Sequence, residues 1–332
     1  MSVWVDVVAR ARGLRTHRLA PASLHALRQA PDLAALGRAL RQTGFPVDEG
    51  ERRAPALDLA VRRRAASELR ILVRWCGPRA AELPVIFEDE DRRSLRALLR
   101  GSLQRAPTDA RLAGLVPTPT LPERALSELA EAPSPAAVAA LLTIWGHPFA
   151  PGLRLAAGAA APDPLALDIA LDRAWAARAR AGAKRGGPEL TRFVADAVDL
   201  ANAGTALVMA GSPRPRVTEQ FLEGGRHLDR ARYVELLAKS RATATGLLAA
   251  TFAETPYAPV FRTAPLHGLD EAILTARVAV QRAAARRAPL GPAPVLWYAL
   301  ELRAETVAVS RIIWGVALGA PSEILAPAGA AG

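Results

Sequence analysis

Apolar side chains recur along this chain mostly at intervals of three and four residues. From Leu57 to Trp75 they fall at Leu57, Val61, Ala65, Leu69, Leu72 and Trp75, with Ile71 beside them, which is the stripe of an amphipathic helix. Gly77-Pro78 then stops that helix, because glycine frees the backbone and proline cannot continue the hydrogen-bond ladder. Alternating β-branched runs are scarce, and there is no Asn-Gly or Asp-Gly hairpin turn. The pattern predicts an all-α protein whose connections are marked by proline and glycine.

The pattern also repeats. An aromatic-proline break follows a short helix at Gly44-Phe45-Pro46, at His147-Pro148-Phe149-Ala150-Pro151 and at Pro256-Tyr257-Ala258-Pro259. A Leu-Asp-x-Ala marker comes next, at Asp58, Asp168 and Asp270, and then a second helix with its own carboxylate, at Asp91, Asp199 and Glu305. The paired carboxylates lie 33, 31 and 35 residues apart, and the second carboxylates recur after 108 and 106 residues. Three markers in one order, three times, predict three similar helical domains: residues 1–108, 109–215 and 216–326, with a flexible tail at 327–332. Three related domains in one chain suggest a pseudo-threefold arrangement around a central space. The repeated carboxylates are expected to hold each unit together, by capping or by pairing with an arginine of a neighbouring helix.

Composition changes this picture in two ways. The 332 residues contain a single cysteine, Cys76, which excludes an internal disulfide framework and every zinc site built on two thiolates. The formal net charge is +11, and all but two of the basic residues (Lys184 and Lys239) are arginine. Residues 1–108 carry 20 basic and 12 acidic side chains, residues 109–215 carry 10 and 10, and residues 216–332 carry 13 and 10. The surplus in the first third points to a patch facing an acidic partner, an anionic membrane surface or nucleic acid, with Arg10, Arg12, Arg15, Arg62 and Arg63 as candidate interface residues. The longest stretch without Asp, Glu, Lys or Arg, from Ala132 to Leu153, is cut by four prolines, so only Pro135 to Gly146 can be continuous helix, too few residues to span a bilayer.

Catalytic chemistry needs convergent groups, and the sequence offers none. His17, His25, His147, His227 and His267 never fall at metal-ligand spacing. Neither lysine follows a glycine-rich phosphate loop: Lys239-Ser240 lacks upstream glycines, and Lys184 is followed by Arg185-Gly186-Gly187. Phe221-Leu222-Glu223-Gly224-Gly225 has adjacent glycines without the dinucleotide spacing. The acidic run Glu88-Asp89-Glu90-Asp91 reads as the first turn of a helix, where carboxylates meet the positive end of the dipole. An arginine-rich helical module for nucleic acid or scaffolding uses the same charge but leaves the repeats unexplained, and aromatic stacking platforms are few.

Five segments together resemble a known family. Val8-Ala9-Arg10-Ala11-Arg12-Gly13-Leu14-Arg15 is similar to the opening helix of the C subunit of bacterial and archaeal V-type (A-type) ATPases, related to the d subunit of the eukaryotic vacuolar enzyme. Asp91 through Arg100 resembles that family's Asp-x-x-Asn-Leu-x-x-x-x-Arg helix, and Asp199-Leu200-Ala201-Asn202 repeats it with Asn202 intact. Ala304-Glu305-Thr306-Val307 through Gly315 resembles the closing helix, and residues 221–225 the lead-in to the third unit. Ser94 and Ala308 stand where the family prefers asparagine, Ser310 where it usually has arginine, and Val208 replaces the terminal arginine of the second unit. The resemblance implies a three-lobed helical funnel, peripheral on the cytoplasmic face of the membrane. It implies a non-catalytic rotor coupling between the D and F shaft subunits and the proteolipid ring. No cofactor, metal, nucleic acid or bound small molecule is expected.

Overall fold

The computed structural model describes residues 4–212, 217–263, 268–321 and 325. Among these it contains sixteen α-helices, two short 3-10 turns and no strand, so the chain is all-α. In chain order the helices are α1 (Val5–Arg15), α2 (Pro21–Arg28), α3 (Leu33–Gln42), α4 (Ala54–Cys76), α5 (Pro84–Leu103), α6 (Thr108–Leu112), α7 (Glu123–Glu131) and α8 (Pro135–Ile144). They continue as α9 (Ala150–Ala157), α10 (Pro164–Gly186), α11 (Pro188–Met209), α12 (Arg230–Leu237), α13 (Arg241–Thr251), α14 (Ala258–Thr263), α15 (Leu269–Arg287) and α16 (Ala293–Ala317). The expected boundary near 215, His267 and the tail at 327–332 lie outside the described residues.

Local chemistry sets the helix ends. Asp32, Ser134, Asp163, Asp229 and Ser240 each accept a backbone N–H of the turn that follows, as N-cap side chains do. Ser240, next to Lys239, is therefore a helix cap. Gly77 ends α4 at φ +53°, a backbone region that side-chain-bearing residues avoid. On α4, Leu57, Val61, Ala65, Leu69 and Leu72 are buried as the stripe predicts. Trp75 departs from it and is 46% exposed, because four residues on from Leu72 the core-facing position is Cys76, which is buried. The run Glu88–Asp91 also departs from expectation. Helix α5 begins at Pro84, so these carboxylates sit beyond its first turn, where arginines compensate Glu88 and Asp89.

The chain forms two compact units, each discontinuous in sequence. Of the described residues, the first comprises those within 78–112 and 123–280, and the second those within 4–77, 113–122 and 281–325. In the second, α16 packs along α4 and α1, and Val309, Ile312 and Ile313 join Leu36, Leu40 and Leu57 in one core. In the first, α10 packs against α5, α9 and α11, and a separate core gathers Leu200, Ala203 and Leu207 of α11 around Tyr233, Leu248 and Phe252.

The α5–α10 contact is cross-linked by charge. Arg178 makes a two-pronged pair with Glu88 at 2.5 Å, Arg92 bonds Asp89 and, at 2.8 Å, Asp172, and Arg96 bonds Asp172 and, at 3.1 Å, Asp168. Arg100 bonds Asp168 as well. The Arg92 guanidinium lies 4.2 Å from the centre of the Trp175 ring. Burial works against the charge on Arg92, but Asp89 and Asp172 outweigh it and leave the pKa above the ordinary arginine value. Replacing Arg92 by leucine removes the guanidinium that bridges Asp89 and Asp172, leaving Asp89 to Arg93 and Asp172 to Arg96. The expected cost is about 1.5–3 kcal/mol of unfolding free energy in urea, and a loss below about 0.5 kcal/mol would show that the bridge is dispensable.

Candidate functional site

The second carboxylate of each repeat, at Asp91, Asp199 and Glu305, is buried. Asp199 is fully buried on α11 and accepts three consecutive backbone N–H groups, from Arg226 (2.7 Å), His227 (3.0 Å) and Leu228 (3.1 Å). One turn later, Asn202 clamps Leu222 at two points: its Nδ2 donates to the carbonyl at 2.8 Å and its Oδ1 accepts the N–H at 2.9 Å. The segment held between them is Phe221–Leu228, which contains the paired glycines of the sequence motif. A Cβ on Gly225 would lie 2.0 Å from Asp199 Oδ1, and one on Gly224 2.4 Å from the Arg180 side chain. The glycines are there so that this backbone can close on Asp199 and Arg180; they cradle no phosphate.

Glu305 repeats the device on α16. Its Oε2 accepts the backbone N–H of Leu19 at 2.7 Å, and Arg18 lies 3.4 Å from Oε1. Burial raises the Glu305 carboxyl above the usual carboxylate range even though Arg18 pulls the other way, and burial likewise lowers Arg18. Asp91, fully buried on α5, faces His147 Nε2 at 3.5 Å, while Nδ1 of that histidine accepts the N–H of Phe149.

The Leu-Asp aspartates diverge. Asp58 is buried, accepts the Ser310 hydroxyl at 2.6 Å and lies 3.2 Å from Arg62 Nε. Arg62, one turn along α4, supplies the positive charge beside Asp58. Asp168 pairs with Arg96 and Arg100 of α5. Asp270 is exposed in the first turn of α15, where it meets the helix dipole.

The five arginines expected at an interface separate once folded. Arg62 is buried, and its Nη1 donates to the carbonyl of Leu115 at 3.1 Å. Arg15 pairs with Glu301 at 2.7 Å and stacks on Trp297. Arg12 is exposed and donates to the Pro289 carbonyl. Arg10 lies 5.6 Å above the ring of Trp75, and Arg63 is exposed on α4. Much of the basic surplus of the first third is thus balanced inside the fold by acids from distant parts of the sequence: Asp168 and Asp172 for α5, Glu301 and Glu305 for α1 and its following turn. Counting charges by sequence segment hides that balance. Among the described residues no three His, Cys, Asp or Glu side chains converge as metal ligands, and no helix is long and apolar enough to cross a membrane.

Two outcomes test this description. Asp199→Ala removes the acceptor for three buried or half-buried donors and is expected to cost about 3–5 kcal/mol; Gly225→Ala should destabilise the same segment by steric conflict, read as lost amide-exchange protection at residues 226–228. For Glu305, a raised folded-state pKa means the native state holds the proton more tightly than the unfolded chain. Its stabilising contribution is full below the ordinary carboxylate pKa and erodes as pH rises through the folded value. Glu305→Gln should therefore gain on the wild type in paired urea melts as pH is raised from below the ordinary carboxylate pKa; a constant difference would refute the assignment.

Comparison with known proteins agrees with an arrangement built for packing rather than chemistry. Residues 7–326 match the ATP synthase (C/AC39) subunit family. The C subunit of the V-type ATP synthase from one strain of Thermus thermophilus is 28% identical over 287 residues, covering 86% of this chain and 85% of the relative. The protein of the same description from a second strain of that species is 30% identical over 201 residues, 60% of this chain and 61% of the relative. With nearly the whole chain matched, the protein belongs to the ATP synthase (C/AC39) subunit family, as a non-catalytic subunit of a V-type ATP synthase.

Proposed function

We propose that this protein couples the D and F shaft subunits to the proteolipid ring, transmitting torque between them at the cytoplasmic face of the membrane. The supporting observation is the way its long helices are tied: buried carboxylates on α11 and α16 accept backbone N–H groups from other segments, and arginine–carboxylate bonds cross-link α5 to α10. A part that carries torque must resist shear between helices, and charge-assisted hydrogen bonds with fixed geometry resist it better than apolar contact alone.

The three sequence copies belong to the same reading, with boundaries near 108 and 215 and a pseudo-threefold plan. Asp199, in the second copy, holds residues 226–228 at the start of the third. Glu305, in the third, holds Leu19 near the start of the first. Equivalent positions thus serve equivalent junctions, and the last copy is tied back to the first.

Affinity-tagged wild-type protein should recover shaft and ring subunits together from native membranes gently solubilised in detergent. Recovery of neither, with the tagged chain folded and membranes intact, would overturn the coupling role while leaving the family assignment in place.

A further inference from the structure

The arginines that the fold leaves available are not the ones that stand out in the sequence. On α4, Asp58, Arg62 and Glu68 are buried, and Arg64 is held by Glu68 and by the carbonyls of Thr43 and His17. The remaining charges all point outward. Arg63, Ser67, Arg70 and Arg74 are exposed at i, i+4, i+7 and i+11, which is one continuous helix face. Both acids of α4 are on its inner side, so this outer face is purely cationic. Neither Arg70 nor Arg74 has an ion pair or side-chain hydrogen bond among the described residues. The face ends at Trp75, which is half-exposed beneath the Arg10 guanidinium.

Beside this face opens a cleft of about 600 Å³ between α4 and the segment joining α1 to α2. Leu14, Leu19 and Ile71 give it an apolar wall, and Ser67, Ser23 and Thr43 supply hydroxyls. Ser67 belongs to both features: it lines the cleft and sits between Arg63 and Arg70 on the basic face. A partner that fits must therefore offer two things side by side, an acidic row and a side chain able to enter the cleft.

We propose that the outer face of α4 and its adjoining cleft dock an acidic helix of the central shaft. This rests on the coupling role proposed above. Arg70 and Arg74 are one turn apart, about 6 Å along the axis, so they match carboxylates spaced i, i+4 on a helix running alongside. An apolar residue on that helix, next to its acidic row, fills the cleft. Exposed arginine and tryptophan are also the residue types that dominate protein–protein binding energy. A bilayer offers anionic phosphates but no side chain to occupy the cleft, and so matches only half of the site.

The experiment measures binding of the full chain to the co-expressed D and F subunits at about 50 mM and about 500 mM salt. The expected result for Arg70→Glu/Arg74→Glu is affinity weakened on the order of 10- to 100-fold at low salt, with the difference shrinking toward threefold or less at high salt. Ser67→Trp, which plugs the cleft without changing charge, should weaken binding at both. All three positions are exposed, so an unchanged thermal melt confirms that the variants fold. Wild-type affinity in both variants overturns the surface and leaves the coupling role standing. Failure of the wild type to bind the shaft overturns both. Loss of binding to phosphatidylglycerol vesicles, with shaft affinity unchanged, overturns the shaft helix as the occupant.

Discussion

A carboxylate taken out of water must find donors, and this requirement organises the protein. Asp91 and Asp199 are completely inaccessible, and Asp58, Asp168 and Glu305 nearly so. Such groups cannot be left alone, since an unpaired buried charge costs several kcal/mol. Each therefore dictates what must lie opposite it. For Asp199 that is a run of three backbone N–H groups, so the chain between α11 and α12 has to turn back upon α11. For Asp168 and Asp172 it is the arginine row of α5. Apolar burial would hold these helices together in several registers, because ridges and grooves recur with each turn. The charge pairs admit one.

The same requirement explains why the compact units ignore the order of the sequence. Helix α10 takes α5 as a principal partner and α16 takes α4, so neighbours in space come from different thirds of the chain. A unit built this way cannot be cut out by cutting the sequence at one place. Part of the basic surplus of the first third is likewise met inside the fold, by acids that arrive from residues 168–172 and 301–305.

How much of this is legible in the sequence depends on distance. Helices and their stops are local, and α4 follows from its own stripe, its glycine and its prolines. The identity of the important carboxylates is also legible, because repetition marks positions irrespective of mechanism. Their partners are not. Nothing in the sequence says that Gly225 is bare to make room for Asp199, although the glycine pair and the aspartate each stand out separately. Arg70 and Arg74 give no signal, because a lone arginine every few residues looks ordinary. Their distinction is negative, in having no acid opposite them, and that becomes visible only after Asp58 and Glu68 have turned inward. Trp75 falls outside the core for a simpler reason: at the end of a stripe, positions 75 and 76 compete for one core-facing site.

The bond from Leu19 to Glu305 joins residues 286 apart, and α1 and α4 find much of their packing on α16. Synthesis proceeds from the N-terminus, so residues 3–77 emerge long before the helix that covers them. Closing so large a loop costs chain entropy that local helices never meet. The unit built mostly from residues 78–280 can consolidate first, while the apolar sides of α1 and α4 wait for residues 293–317. During that interval the sides of Leu57, Val61 and Val8 that α16 covers stay open, so a segment made before α16 is protected only after it.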